Sequence, residues 1–188
     1  MNVIETTLDG VLLFKPEVYP DERGFFLERF HESRYREYGV DLPFVQDNHS
    51  RSVKGTLRGL HFQKHFPQGK LVEVIQGRVF DVVVDVRPGS VSFGEWHGVE
   101  LSNENHWQLW VPPGFAHGFC VLSDEADFLY KCTAYYDPED EGGIVWNDPN
   151  LCINWPIEAP LLSLKDAMLP PLGSLKEEDL PTLPIAIV

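Results

Sequence analysis

The stretch VFDVVVDVR, Val79 to Arg87, decides how the rest of the chain is read. It is rich in β-branched valine and lies between Gly77 and the turn Pro88-Gly89-Ser90, so it reads as a strand. Side chains on a strand alternate between faces. Phe80, Val82, Val84 and Val86 therefore share one face, and Asp81, Val83 and Asp85 share the other. Working outward, LVEVIQG (71–77), WQLWVP (107–112) and DFLYKCTAYY (127–136) read as further strands. Fifteen glycines and fifteen prolines are scattered between these short apolar runs as turn signals, with no repeats and no low-complexity linker. That pattern predicts an all-β sandwich or barrel. One helix is expected, over HESRYREYG (31–39), closed by Gly39. The tail from Pro170 is acidic and broken by prolines, and is expected to lie along the surface or be partly mobile.

A chain of 188 residues suits one domain, here residues 1–188, and its 43% of hydrophobic residues can fill one core. The opening MNVIETTLDGVLLFKP has no cationic start and no long apolar run, so neither a secretory leader nor a membrane span is expected. Three cysteines, Cys120, Cys132 and Cys152, form no CxxC pair; this spacing suggests a reducing, cytoplasmic setting without disulfides. A formal net charge of −14 argues against nucleic-acid or anionic-membrane partners. The charge is uneven. Residues 51–80 hold six basic residues against the single acid Glu73, whereas residues 121–188 hold thirteen acids against three lysines. The basic segment reads either as a solvated face or as a site for a small anion such as a phosphate ester.

Within that segment lies TLRGLHFQ, Thr56 to Gln63, a strand that spends three positions on Arg58, His61 and Gln63. His61 reads either as a core histidine satisfied by the backbone or as a functional group. On a regular strand Arg58, three residues away, would point to the opposite face; a bulge at Gly59 would bring both to one site. Further on, PPGFAHGF (112–119) contains P-x-G-x-x-H, ending at His117. That turn resembles one found in cupin jelly rolls, where such a histidine often binds metal. A metal cupin also carries His-x-His on an earlier strand; here the place reads His61-Phe62-Gln63, and glutamine is a poor transition-metal ligand. No metal is expected. Taken singly, Tyr130 in FLYK reads as a half-buried strand aromatic, Lys70 as a turn lysine and Asp166 in SLKDAML as an ordinary helix or turn acid.

Taken together, DERGFF (21–26), FVQDNHSRSVKGTLRGLHFQ, QGKLVEVIQGRVFDVVVDVR, LWVPPGFAHGF, FLYKCTAYY and IVWNDPNLCINWP with LSLKDA resemble the dTDP-4-dehydrorhamnose 3,5-epimerase family, from about Asp21 to Asp166. The resemblance implies a cupin-type jelly roll with a few short peripheral helices, and a homodimer that exchanges N-terminal strands. It implies cofactor-free epimerisation of a 4-keto-6-deoxy sugar carried on thymidine diphosphate. It assigns His61 as the base, Asp166 as its partner, Tyr130 as the acid on the other sugar face and Lys70 as the cation beside the developing oxyanion, with Asp81 holding Lys70. Arg23, Arg58, His117 and Lys165 are implied at the diphosphate and sugar. Glu28, Gln46 and Asn48 are implied at the nucleotide, Phe26 and Tyr136 as aromatic walls, and Glu141 as a further contact. The rival readings are a single-centre epimerase on a related sugar, a metal-dependent cupin such as a dioxygenase, and a non-catalytic sugar-binding cupin.

Overall fold

The structure is a computed structural model that describes residues 1–182. In chain order its elements are β1 (Asn2–Glu5), β2 (Leu12–Lys15), β3 (Val18–Asp21), β4 (Gly24–Leu27), α1 (Glu32–Arg36), β5 (Gln46–Val53), β6 (Leu57–Gln63), β7 (Lys70–Gln76), β8 (Arg78–Asp85), β9 (Trp96–Ser102), β10 (Gln108–Val111), β11 (Phe115–Val121), β12 (Glu125–Cys132), β13 (Glu141–Gly143) and α2 (Leu164–Ala167). One sheet runs β1-β2-β10-β7-β12-β5, a second runs β13-β6-β11-β8-β9, and β3–β4 stands apart as a hairpin. Every strand pairing within these sheets is antiparallel. This is the two-sheet jelly roll expected from the sequence.

The five strands and the helix read from the sequence are all present, with shifted ends. The run 127–136 begins earlier, at Glu125, and stops at Cys132, because Thr133 turns to bond Gly69 with both its backbone and its hydroxyl. α1 is shorter than the expected 31–39, but the turn that follows it closes at Gly39 as expected. Gly39 takes φ +87, and the amides of Gly39 and Val40 donate to the carbonyls of Arg36 and Tyr35, a Schellman closure that only a residue without Cβ adopts freely.

Both faces of β8 are buried, for different reasons. Val82, Val84 and Val86 join Leu60, Phe62, Ala116 and Ile144 on the outside of the five-stranded sheet, where C-terminal segments cover them. Val79 and Val83 face inward and meet Val72, Val74, Phe119 and Phe128 between the sheets. The described part of the tail is more firmly anchored than its composition suggests. Leu172 and Leu180 are buried in the outer cluster, and the Thr182 amide donates to the Lys64 carbonyl. Residues 183–188, the end of that tail, lie outside the described residues.

The same alternation that fills the core at one end of the sandwich leaves polar side chains at the other. Beyond the plug of Val72, Phe119 and Phe128, the inward positions are Lys70 on β7, Tyr130 on β12, Gln46, Asn48 and Ser50 on β5, His61 on β6 and His117 on β11. These residues line a cavity.

Candidate active site

The cavity is about 520 Å³ and opens at one end of the sandwich. Eleven of the fourteen site residues expected from the sequence line it: Gln46, Asn48, Arg58, His61, Lys70, His117, Tyr130, Tyr136, Glu141, Lys165 and Asp166. His61, Arg58 and His117 come from the five-stranded sheet; Lys70, Tyr130, Gln46 and Asn48 come from the facing sheet. Arg23, Phe26 and Glu28 are not brought there. They lie on or just after the β3–β4 hairpin, where the Arg23 side chain is 85% exposed and Phe26 is 68% exposed.

His61 and Arg58 share the cavity because β6 is irregular between them. His117 pairs with His61, but Phe119 pairs with Arg58, so three residues of β6 span two of β11. The irregularity sits at Gly59, whose φ is +104. A Cβ there would fall 2.6 Å from the His117 carbonyl oxygen and 2.8 Å from the Gly118 Cα. Only glycine allows two strands to approach so closely with this backbone.

His61 is bound at one ring nitrogen. Its Nε2 lies 2.5 Å from Oδ1 of Asp166, a residue 105 positions away in sequence. A carboxylate on Nε2 fixes the proton there and leaves Nδ1 with its lone pair toward the cavity. The nearest carboxylate to Nδ1, Glu141, is 3.7 Å off, too far for a hydrogen bond. Asp166 is itself held. Ser163 caps α2, accepting the Asp166 amide at 3.0 Å and donating its hydroxyl to Asp166 Oδ2 at 2.8 Å. Burial alone would push this carboxyl up. The bonds from His61 and Ser163 and the nearby Lys165 charge outweigh that and hold it below the usual carboxylate range, so it stays an anion.

Across the cavity, burial pushes the Tyr130 phenol up, so it keeps its proton at neutral pH. Burial pushes Lys70 down, partly opposed by Glu141 and Asp81. Asp81 holds His117, not Lys70 as the family resemblance implies. Asp81 is fully buried, and both its oxygens lie 2.9–3.0 Å from His117 Nε2. β8 and β11 are neighbours in one sheet, whereas Lys70 sits on the opposite sheet. Asp81 pairs in register with Phe119, and its carboxylate reaches diagonally to His117, two residues along the same face of β11.

At the mouth, Glu141 accepts from Lys165 at 2.7 Å and from the Tyr136 hydroxyl at 2.9 Å. Arg58 donates from Nε to Ser52. Gln46 accepts the Tyr136 amide and donates to Asn48. Polar residues missed in the sequence include Ser50, Gln68 and Ser163, which line the cavity, and Ser52, which holds Arg58. The S-x-x-D of SLKD, a helix-capping signature, marks Ser163. The period-two spacing of Gln46, Asn48 and Ser50 marks Ser50.

Residues 5–174 match the model of the family described as dTDP-4-dehydrorhamnose 3,5-epimerase. The chain belongs to the dTDP-4-dehydrorhamnose 3,5-epimerase family. It is therefore an isomerase. A relative of that name from Shigella flexneri is 56% identical over 168 residues, covering 88% of this chain and 93% of the relative. Another of the same name from Neisseria gonorrhoeae is also 56% identical over 88% of this chain, which spans only 51% of that longer relative. Among solved structures, a dTDP-6-deoxy-D-glucose-3,5-epimerase from Legionella pneumophila Philadelphia 1, in complex with dTDP-4-keto-L-rhamnose, superposes with a TM-score of 0.94. It is 54% identical, with 98% of this epimerase and 99% of that chain covered. No helix among the described residues of the epimerase is long and apolar enough to cross a membrane.

Proposed function

We propose that this epimerase inverts carbons 3 and 5 of dTDP-4-dehydro-6-deoxy-D-glucose to give dTDP-4-dehydro-L-rhamnose, using His61 as base and Tyr130 as acid. One observation carries the reading. An Asp166-bound histidine on one sheet faces a protonated tyrosine on the other across a single cavity. Carbons 3 and 5 both flank the ketone, so a proton on either is weakly acidic and its loss gives an enolate. His61 Nδ1 takes that proton from one face of the sugar. Lys70, a compact cation in a partly dry site, stabilises the charge that develops on the keto oxygen. The Tyr130 hydroxyl returns a proton to the opposite face, which inverts the centre. The ketone is the electron sink and every step is a proton transfer, so neither a metal nor a redox cofactor enters the balance. Arg58, His117 and Lys165 supply positive or hydrogen-bonding groups for the sugar diphosphate.

The exposed Arg23, Phe26 and Glu28 fit a homodimer in which the β3–β4 hairpin of one protomer completes its partner's cavity at the nucleotide. Mixing an inactive His61→Asn chain with an inactive Arg23→Ala chain should restore part of the activity, because one of the two sites is then intact. No recovery in confirmed mixed dimers overturns this arrangement. Cys120 and Cys132 are buried and unpaired, which fits a cytoplasmic enzyme.

The decisive experiment is incubation with dTDP-4-dehydro-6-deoxyglucose in heavy water, followed by NMR of carbons 3 and 5. Deuterium with inverted configuration at both positions is expected. Inversion at carbon 3 alone would make this a single-centre epimerase, and a lack of exchange at both would overturn the reading.

A further inference from the structure

We propose that Ser163 is a positioning residue of the reaction, setting the orientation and the charge of Asp166 and through it the basicity of His61. The inference rests on the reading of His61 as the base.

Ser163 touches Asp166 twice. As the N-cap of α2 it accepts the Asp166 amide at 3.0 Å, and its hydroxyl donates to Oδ2 at 2.8 Å. In an ordinary capping box the acid three residues on reaches back to the backbone amide of the cap. Here the Asp166 carboxylate turns away instead. Its Oδ2 takes the serine hydroxyl and its Oδ1 takes His61 Nε2 at 2.5 Å. The two bonds hold both oxygens of a carboxylate whose side chain is only 5% exposed. The segment carrying it is fixed at its other end. The Leu161 amide donates to the Gly55 carbonyl and the Leu161 carbonyl accepts from Leu57, which ties the approach to α2 to the start of β6, the strand of His61. Ser163 is thus the last link between two elements that only folding joins.

The hydroxyl has a second consequence. It draws negative charge toward Oδ2 and away from the histidine. Without it, the carboxylate acts on Nε2–H more strongly, which favours the protonated ring and leaves less free base at a given pH. A hydroxyl that served only the helix cap would have no such effect.

The test is the pH dependence of kcat and kcat/KM for Ser163→Ala, Ser163→Gly and Ser163→Thr, with Asp166→Asn and His61→Asn as references. Glycine is tolerated at an N-cap almost as well as serine, so Ser163→Gly removes the hydroxyl while sparing the cap. We expect both Ser163→Ala and Ser163→Gly to lower kcat about tenfold, a typical loss for an outer partner of a site residue. KM should stay within about twofold, and the acidic limb of kcat/KM should move to higher pH. Ser163→Thr should restore both. In an Asp166→Asn background, Ser163→Gly should cost almost nothing more, because the two act in series. An unchanged kcat and unchanged acidic limb in Ser163→Gly overturns the proposal, as does a full tenfold loss on top of Asp166→Asn. His61→Asn separates this outcome from failure of the base assignment. If that variant keeps normal turnover, the base is another group; if it is inactive while Ser163→Gly is normal, only the role of Ser163 falls.

Discussion

Replacing Gly59 by alanine tests whether the irregularity of β6 builds the site. At φ +104 a residue with a Cβ is strained by about 1–3 kcal/mol. The new methyl would also sit 2.6 Å from the His117 carbonyl oxygen and 2.8 Å from the Gly118 Cα, both backbone atoms of β11, which cannot rotate away. Overpacking of that kind costs about 1–3 kcal/mol more. The sum centres near 4 kcal/mol, and a chain of this size loses roughly 2–4 °C in Tm per kcal/mol, so Tm should fall by roughly 8–16 °C. Gly89 supplies the control. Its φ is +78, but a methyl added there would meet nothing within 4 Å, so Gly89→Ala should show the backbone part alone and lose roughly half as much or less. Activity should fall further than stability explains. The strands can accommodate the methyl only by separating, which re-aims Arg58 or His61, and a displacement of about 1 Å in a site costs about 10²-fold. The assays are differential scanning calorimetry and the heavy-water NMR rate at a temperature where the variant is folded. A Gly59→Ala protein that melts within about 3 °C of wild type, or one that costs no more than Gly89→Ala, would refute the close-approach argument.

Tyr130→Phe keeps the ring but removes the hydroxyl; in heavy water it should still exchange deuterium into recovered substrate with retained configuration, while inverted product falls by about 10²-fold or more. His61→Asn should show neither exchange nor inversion, and undiminished inversion in Tyr130→Phe would assign the acid to another group. Lys70→Met should move activity and stability in opposite directions. A lysine whose folded pKa is below its unfolded value destabilises the fold at neutral pH, and that penalty fades only as pH rises past the folded value, so Tm at pH 7 should rise while kcat falls by about 10²-fold; a drop in Tm contradicts this. Asp85 behaves as the opposite case. Burial raises its pKa, but bonds from Arg87, Ser90 and Ser92 outweigh that and hold it at about 2. The stability it contributes is present above the ordinary carboxylate pKa and is lost as pH falls from about 4 toward 2. Asp85→Asn should be less stable at pH 7 and lose less Tm over that range; an unchanged slope of Tm against pH would disprove it.

Features that repeat at short range were legible from the residues alone. Alternation in VFDVVVDVR made a strand with two distinct faces, and the structure buries one against the C-terminal segments and turns the other inward. Gly39 was legible as a helix end because its positive φ is a local demand. Gly59 was legible as a bulge because a polar strand carrying Arg58 and His61 makes sense only if both reach one side. The long ordered stretches shared with the family marked eleven of the residues that line the cavity. Three matters were decided only by tertiary structure. Asp81 has the same inward position whether its partner is Lys70 or His117. The folded geometry settles that, since both Asp81 oxygens lie within hydrogen-bond distance of His117 Nε2 on the neighbouring β11. The double bond of Ser163 to Asp166 depends on a four-residue helix docked over β6 from about a hundred residues downstream, and a capping signature in sequence does not say which way the acid will face. The exposed hairpin with Arg23 and Phe26 is the third. Its residues carry the family pattern, yet the fold of one chain sets them outside its own cavity, because β3 and β4 pair only with each other. Local spacing fixes faces and turns; which faces meet is settled by strand order and register, which depend on contacts far apart in the chain.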